Sequence, residues 1–196
     1  MNLLIVGDSH CRDMDTDIHN YHPNMNIMIV TKSRGIPAIT RRYNASIRDI
    51  TNFMPNIVVI HCGHNDIMRH PKHNRHPIFI TAAIRLQVQL ATTIRTDFPN
   101  ATILCSAVFP RTWKQAGRLT KEETTSYNWM AKRYGQRLRS ECLANNLLFT
   151  FNMIMWAKIS KAVEVPKYYL SDGLHLDTNG RIIIGQCWID EIIHHP

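Results

Sequence analysis

Short apolar runs alternate along the chain with longer stretches in which apolar positions recur every three or four residues. The runs predict strands at Asn2–Val6, Asn26–Val30, Ile57–His61 and Thr102–Val108, with a weaker fifth at Leu147–Phe151. The first four are nearly continuous in apolar and β-branched residues, the pattern of parallel strands covered on both faces. The longer stretches predict helices. Ile78–Phe98 spaces Ile80, Ile84, Val88, Ala91 and Ile94 along one face. Lys121–Asn145 follows Thr120, with Glu123 three residues on, the spacing of a capping box. Asn179–Ile193 follows Asp177-Thr178 and turns Ile183, Ile184, Cys187, Trp188 and Ile192 toward a core. Strand–helix repetition of this kind predicts an α/β/α sandwich around a parallel sheet of about five strands. No repeat or linker divides the chain, so residues 1–196 are expected to form one domain.

In such sheets ligands bind beyond the carboxyl ends of the strands, which directs attention to the residues that follow each one. Strand one runs into Gly7-Asp8-Ser9-His10. A serine at a strand-to-helix turn lies near free N–H groups that stabilise negative charge, help a weak hydroxyl nucleophile needs. The same residues also suit an ordinary turn. Strand two is followed by Ser33-Arg34-Gly35-Ile36-Pro37, where a glycine allows close backbone approach. Strand three is followed by Cys62-Gly63-His64-Asn65-Asp66. The Asn65 amide could donate to an oxyanion, or simply form an Asx-turn. Before the last helix comes Asp172-Gly173-Leu174-His175. An aspartate three residues ahead of a histidine can hold Nδ1 and leave Nε2 free as a base.

Taken in order, Gly-Asp-Ser, Gly, Gly-x-Asn-Asp and Asp-x-x-His resemble the four signature blocks of the SGNH (GDSL-type) hydrolase family, from Asn2 to about Gly185. The resemblance implies a flavodoxin-like three-layer α/β/α sandwich and ester hydrolysis without metal or cofactor. Carried over block by block, it makes Ser9 the nucleophile, His175 the general base and Asp172 its orienting partner. The oxyanion hole would comprise the backbone N–H groups of Ser9 and Gly35 and the side chain of Asn65. Asp8 and Asp66 would hold the turns that aim Ser9 and Asn65. A finer likeness rests on Gly-Leu-His-Leu-Asp-x-x-Gly-Arg at 173–181, Phe109-Pro110-Arg111 and the aromatic stretch Phe149–Trp156. These resemble esterase domains of LINE-type retrotransposon proteins, themselves similar to the catalytic subunits of platelet-activating-factor acetylhydrolase. That setting implies a place within a larger RNA-binding polyprotein. A loop-built site with no long apolar lid segment offers little to hold a long chain, so a short acyl group, acetyl first, is expected.

Charge and composition adjust this picture. A net charge of +8 favours anionic partners, nucleic acid or an anionic membrane surface, although a solvated basic surface explains it equally well. No apolar run approaches the roughly 18 to 20 residues that span a bilayer. Five widely spaced cysteines, without a C-x-x-C pair, suit a reducing compartment, so an intracellular, cytoplasmic protein is expected. The start at Met1, straight into a strand, suits either a cytosolic chain or a domain of something longer.

Other features carry less chemistry. His61, His64, His70, His73 and His76 crowd a segment with Pro71 and Pro77 that is expected to be a solvated loop, with His64 at a pocket mouth. Arg34, Arg41, Arg42 and Arg48 could contact phosphates, and the spacing of Arg133, Arg137 and Arg139 suits a solvated helix face. Met25, Met28, Met153, Met155 and Trp156 could line an acyl-binding surface but suit core packing better. The rival functions are a non-enzymatic SGNH-like module that binds RNA or lipid surfaces, and a carbohydrate O-acetyl esterase or acyltransferase.

Overall fold

The computed structural model describes residues 1–68, 77–112, 120–152, 156, 168–170, 172 and 175–194. Five strands, β1 (Asn2–Gly7), β2 (Asn26–Thr31), β3 (Ile57–His61), β4 (Thr102–Ser106) and β5 (Leu148–Thr150), form one parallel sheet in the order β2-β1-β3-β4-β5. Because successive side chains of a strand face opposite ways, the sheet builds two cores. Leu4, Val6, Val58, Ile60 and Cys105 face one side; Leu3, Ile5, Val59 and Leu104 face the other. Helices α2 (Ile36–Ala45), α3 (Ile47–Phe53), α5 (Pro77–Asp97) and α6 (Lys121–Ala144) cover the first face, through residues such as Ile39, Tyr43, Ile50, Ile84 and Leu138. Helices α1 (Met14–His19) and α7 (Thr178–His194) cover the second, through Met14, Ile18, Ile184 and Trp188. The result is the three-layer α/β/α sandwich expected from the pattern.

The five strands lie within two residues of their expected positions. The fourth stops at Ser106 rather than Val108, because the chain then crosses the carboxyl edge of the sheet and the Phe109 N–H reaches the His64 ring. The three long helices fall within a residue or so of expectation, and Thr120 and Glu123 form the reciprocal capping box. Helices α1 to α3 and a further short one, α4 (His64–Met68), were not legible. At six, ten, seven and five residues they are too short for a helical period to emerge, and tertiary packing stabilises them instead. Met25 is buried, Met28 and Trp156 pack against the first core, and Arg133 and Arg139 are exposed on α6, as expected, whereas Arg137 is half-buried. His70, His73, His76, Met153 and Met155 lie outside the described residues. The five cysteines are free thiols, four of them buried. Among the described residues no helix is long and apolar enough to cross a membrane.

Chain order reverses between β1 and β3, since β2 lies on the outer side of β1. In a doubly wound sheet that switch point opens a crevice at the carboxyl ends. One register row crosses the sheet there, pairing Thr31 with Gly7, Gly7 with His61, His61 with Ser106 and Ser106 with Thr150. From Gly7 to Thr150 the row is buried, and its His61, Ser106 and Thr150 side chains are polar. Ser106 Oγ accepts from Trp188 Nε1 at 2.8 Å and from Asn152 Nδ2 at 3.0 Å. With both lone pairs so used, its proton points to His61 Nδ1 at 2.9 Å. His61 is therefore neutral, with its proton on an enclosed Nε2 that meets no partner. The segment expected to be a loop thus begins as the buried end of β3: the long apolar run continues through His61, whose ring stacks on Phe109 at 5.2 Å.

Burial pushes the His61 imidazole from its usual 6.5 down to about 4. The unfolded chain then binds the extra proton between those values, so stability should fall as pH drops from 6.5 toward 4. His61 alone would contribute roughly 3 kcal/mol to that loss. Urea unfolding across this range should record it, and a flat profile would refute the assignment. Ser106→Ala, which strands the Trp188 and Asn152 donors, should cost about 1–3 kcal/mol in the same assay.

Candidate active site

The turn after β1 is built around a carboxylate. Asp8 is fully buried, and its Oδ1 accepts from the His10 N–H at 3.1 Å, capping the single 3₁₀ turn Ser9–Cys11. The same oxygen receives His10 Nδ1 at 2.7 Å, while Oδ2 receives His64 Nδ1 at 3.1 Å. Burial alone would raise the Asp8 carboxyl. The two histidines outweigh it and hold Asp8 well below the usual carboxylate range. Burial and the neighbouring His10 push His64 down below the usual imidazole range. Its Nδ1 donates to Asp8 and its Nε2 accepts the Phe109 N–H at 3.4 Å, the bonding pattern of a neutral ring. His64 is therefore not at a pocket mouth. It is completely enclosed at the start of α4 (His64–Met68), because the buried Asp8 charge needs a second donor.

Ser9, between Asp8 and His10, is left half-buried and facing the crevice. Its Oγ lies 3.2 Å from His175 Nε2, although the two residues are 166 positions apart. Asp172 Oδ2 lies 2.7 Å from His175 Nδ1, and Asp172 Oδ1 accepts the His175 backbone N–H at 3.0 Å. Both carboxylate oxygens thus hold the same histidine, one through its ring and one through its backbone. The His175 loop is itself pinned. Tyr169 and Leu176 form an isolated antiparallel bridge, the Leu170 N–H donates to His175 O at 2.9 Å, and the Asp177 N–H donates to Tyr168 O at 3.1 Å. Asp177 caps α7 through the Gly180 N–H at 2.8 Å. Arg181 pairs with Asp17 of α1 and donates to Leu176 O at 3.2 Å, tying this loop to the layer beneath. From behind, the His10 ring stacks on His175, with centroids 5.0 Å apart, and on His64 at 3.9 Å.

The second and third blocks are joined by Asp66. Its carboxylate accepts the Ile36 N–H at 3.0 Å, at the start of α2. Gly35, with φ of 87°, is pressed against that carboxylate: a Cβ there would come within 2.7 Å of Asp66 Oδ1. Any side chain at Gly35 is therefore excluded by conformation and by space. Asn65 is half-buried and donates one amide hydrogen to Ser33 O at 3.0 Å, which fixes the plane of its amide and leaves the other hydrogen for a ligand. An open cleft of about 460 Å³ is lined by Ser9, His10, Ser33, Asn65, Arg111 and His175, among others. Four of the five sequence-nominated positions therefore meet: Ser9, His175 and Asp172 by hydrogen bonds, and Asn65 in the same cleft wall. Gly35 stands behind Ser33 and is not part of the lining.

Sequence reasoning missed His10 and Arg111 as parts of the site and misjudged His64. A histidine directly after Gly-Asp-Ser carried no signal of its own, since only the fold reveals that Asp8 is buried and needs two imidazole donors. Among the described residues, Asp8, His10 and His64 are the cluster whose ligand atoms could hold a metal, all within 4.8 Å of one another. Here the two imidazole N–H groups serve the carboxylate directly, so a metal would have to displace both hydrogen bonds.

No protein-family model matches the sequence, and no curated protein matches it significantly. Solved structures do. A GDSL-like lipase from Bacteroides thetaiotaomicron matches with a TM-score of 0.71 and 15% identity, over 100% of this chain and 89% of that one. A candidate SGNH hydrolase from Slackia heliotrinireducens matches with a TM-score of 0.72 and 13% identity, covering 98% of both chains. An acetylxylan esterase from Geobacillus stearothermophilus, in a catalytic mutant form, matches with a TM-score of 0.69 and 15% identity, over 97% and 93%. At such identities the likeness speaks for architecture: the chain has the fold of the GDSL/SGNH hydrolases.

Proposed function

We propose that the protein is a serine esterase that hydrolyses carboxylic esters of a short acyl group through an acyl-enzyme. The observation that carries this reading is the hydrogen-bonded chain Ser9–His175–Asp172, opening into a cleft shared with the Asn65 amide. In this mechanism His175 Nε2 takes the Ser9 proton as Oγ attacks the ester carbonyl. Asp172, bonded to Nδ1, keeps the ring in the tautomer that leaves Nε2 free and stabilises the imidazolium that forms. The tetrahedral oxyanion is met by the Asn65 amide and the backbone N–H of Ser9, both in the cleft wall; Gly35, the third donor that the resemblance implies, does not line it. His175 then returns its proton to the departing alcohol, and water repeats the sequence on the acyl-serine.

The motif likeness to LINE-type esterase domains and to platelet-activating-factor acetylhydrolase subunits supports acetyl as the acyl group. With the basic charge, it also supports work beside nucleic acid or an anionic membrane surface, within a larger polyprotein. The structural likeness to an acetylxylan esterase, together with an open cleft rich in polar side chains, supports a second reading in which the ester is an O-acetyl group on a sugar. Assays on acetylated xylo-oligosaccharide and on a simple alkyl acetate distinguish the two.

A fluorophosphonate probe should modify the wild-type protein at Ser9 and leave Ser9→Ala unlabelled, as read by peptide mass spectrometry. Ser9→Ala should also reduce kcat on 4-nitrophenyl acetate by roughly 10⁴-fold or more. A wild-type protein that neither labels nor hydrolyses short 4-nitrophenyl esters would instead be a binding module in an esterase fold. Asn65→Ala should lower kcat by about 10²–10³-fold with little change in KM. An unchanged kcat would remove Asn65 from the oxyanion hole.

A further inference from the structure

The wall of the same cleft holds a cation that the ester chemistry does not use. Arg111 follows β4, just past Phe109 and Pro110, and only 3% of its surface is exposed. Its backbone is clamped by Asn128, which accepts the Arg111 N–H at 2.8 Å and donates to its carbonyl at 2.9 Å. The guanidinium lies 4.2 Å over the face of Tyr127, and two of its nitrogens, Nε and Nη1, are enclosed without a hydrogen-bond partner. No carboxylate among the described residues pairs with it.

An arginine in this position is energetically incomplete. A buried charge is costly unless it is paired and hydrogen-bonded, and one aromatic face returns only part of that cost. The other cations of the cleft are already met. Arg181 is held by Asp17, and Arg12 is exposed to water. Asp13, the one carboxylate among the described lining residues, is exposed. A fork of planar N–H donors matches the oxygens of a carboxylate or a phosphate.

Resting on the reading of this cleft as an ester-hydrolase site, we propose that Arg111 forms an anion subsite that selects esters carrying a carboxylate or phosphate group close to the scissile bond. The anion pairs with the guanidinium where Arg111 lines the cleft, and the ester carbonyl is thereby brought to Ser9 and Asn65. Neutral esters remain substrates, without this anchoring.

The test titrates inorganic phosphate and, separately, succinate into wild type, R111M and R111K by calorimetry at low salt. Each anion is also assayed as a competitive inhibitor of 4-nitrophenyl acetate hydrolysis. At least one anion should bind wild type, compete with the ester and bind R111M about tenfold or more weakly. R111K keeps the charge over Tyr127 but loses the fork, so it should also weaken binding, and it carries the test if R111M does not fold. Tighter binding of phosphate assigns a phosphate-bearing ester; tighter binding of succinate assigns a carboxylate-bearing one. Absence of binding by both anions, or binding unaltered in both variants, overturns the subsite. The titration needs no turnover: anion binding without fluorophosphonate labelling would retain the subsite and remove the esterase, and labelling without anion binding would do the reverse.

Discussion

A carboxylate sealed from water stands directly behind Ser9, and most of the site's order follows from the need to satisfy it. Asp8 can remain charged at zero exposure only because N–H donors converge on it: the His10 backbone, the His10 ring and the His64 ring. The first closes the turn that presents Ser9. The last comes from the loop after β3 and draws that loop, with Asn65, against the end of β1. A neutral substitute for Asp8 would leave these donors competing for a weaker acceptor, in a place where unmet donors are costly.

The remaining half of the site arrives from the far end of the chain and is held by different means. The His175 loop is backed by a short antiparallel bridge, an Asp177 cap and the Arg181–Asp17 ion pair, so its position depends on α7 docking against α1. Beside the Ser9–His175 hydrogen bond, the His10 ring joins the two halves, stacked on His64 on one side and on His175 on the other. Residues that do no chemistry thereby determine the distance between the hydroxyl and the imidazole. Beside them, Arg111 shows the opposite arrangement: a buried charge that meets the Tyr127 ring and, among the described residues, no counter-ion.

Much of this was legible beforehand, in an uneven way. The strands were readable because residues buried on both faces of a sheet form apolar runs that need no tertiary information. The capping box at Thr120 and the long periods of α5 and α6 are equally local signals. The short helices α1 to α4 were not readable, since each spans three turns or fewer and owes its stability to the sheet beneath it. The histidines of the third block misled for a related reason. Beside prolines and basic residues they suggested solvent, whereas His61 and His64 are enclosed as neutral rings in a buried network.

The sequence by itself determined the layer architecture and the order of the four blocks, because alternation of apolar runs and turn chemistry are properties of neighbouring residues. It also nominated Ser9, Asn65, Asp172 and His175, since their residue types and spacings limit what each could do. Only the tertiary structure decided that these groups share one cleft, that His10 and His64 serve Asp8, and that Arg111 meets no counter-charge among the described residues. Those outcomes depend on burial and on distances between residues remote in the chain. Neither quantity exists until the sheet has closed its two cores and the strand order has opened the crevice between β1 and β3.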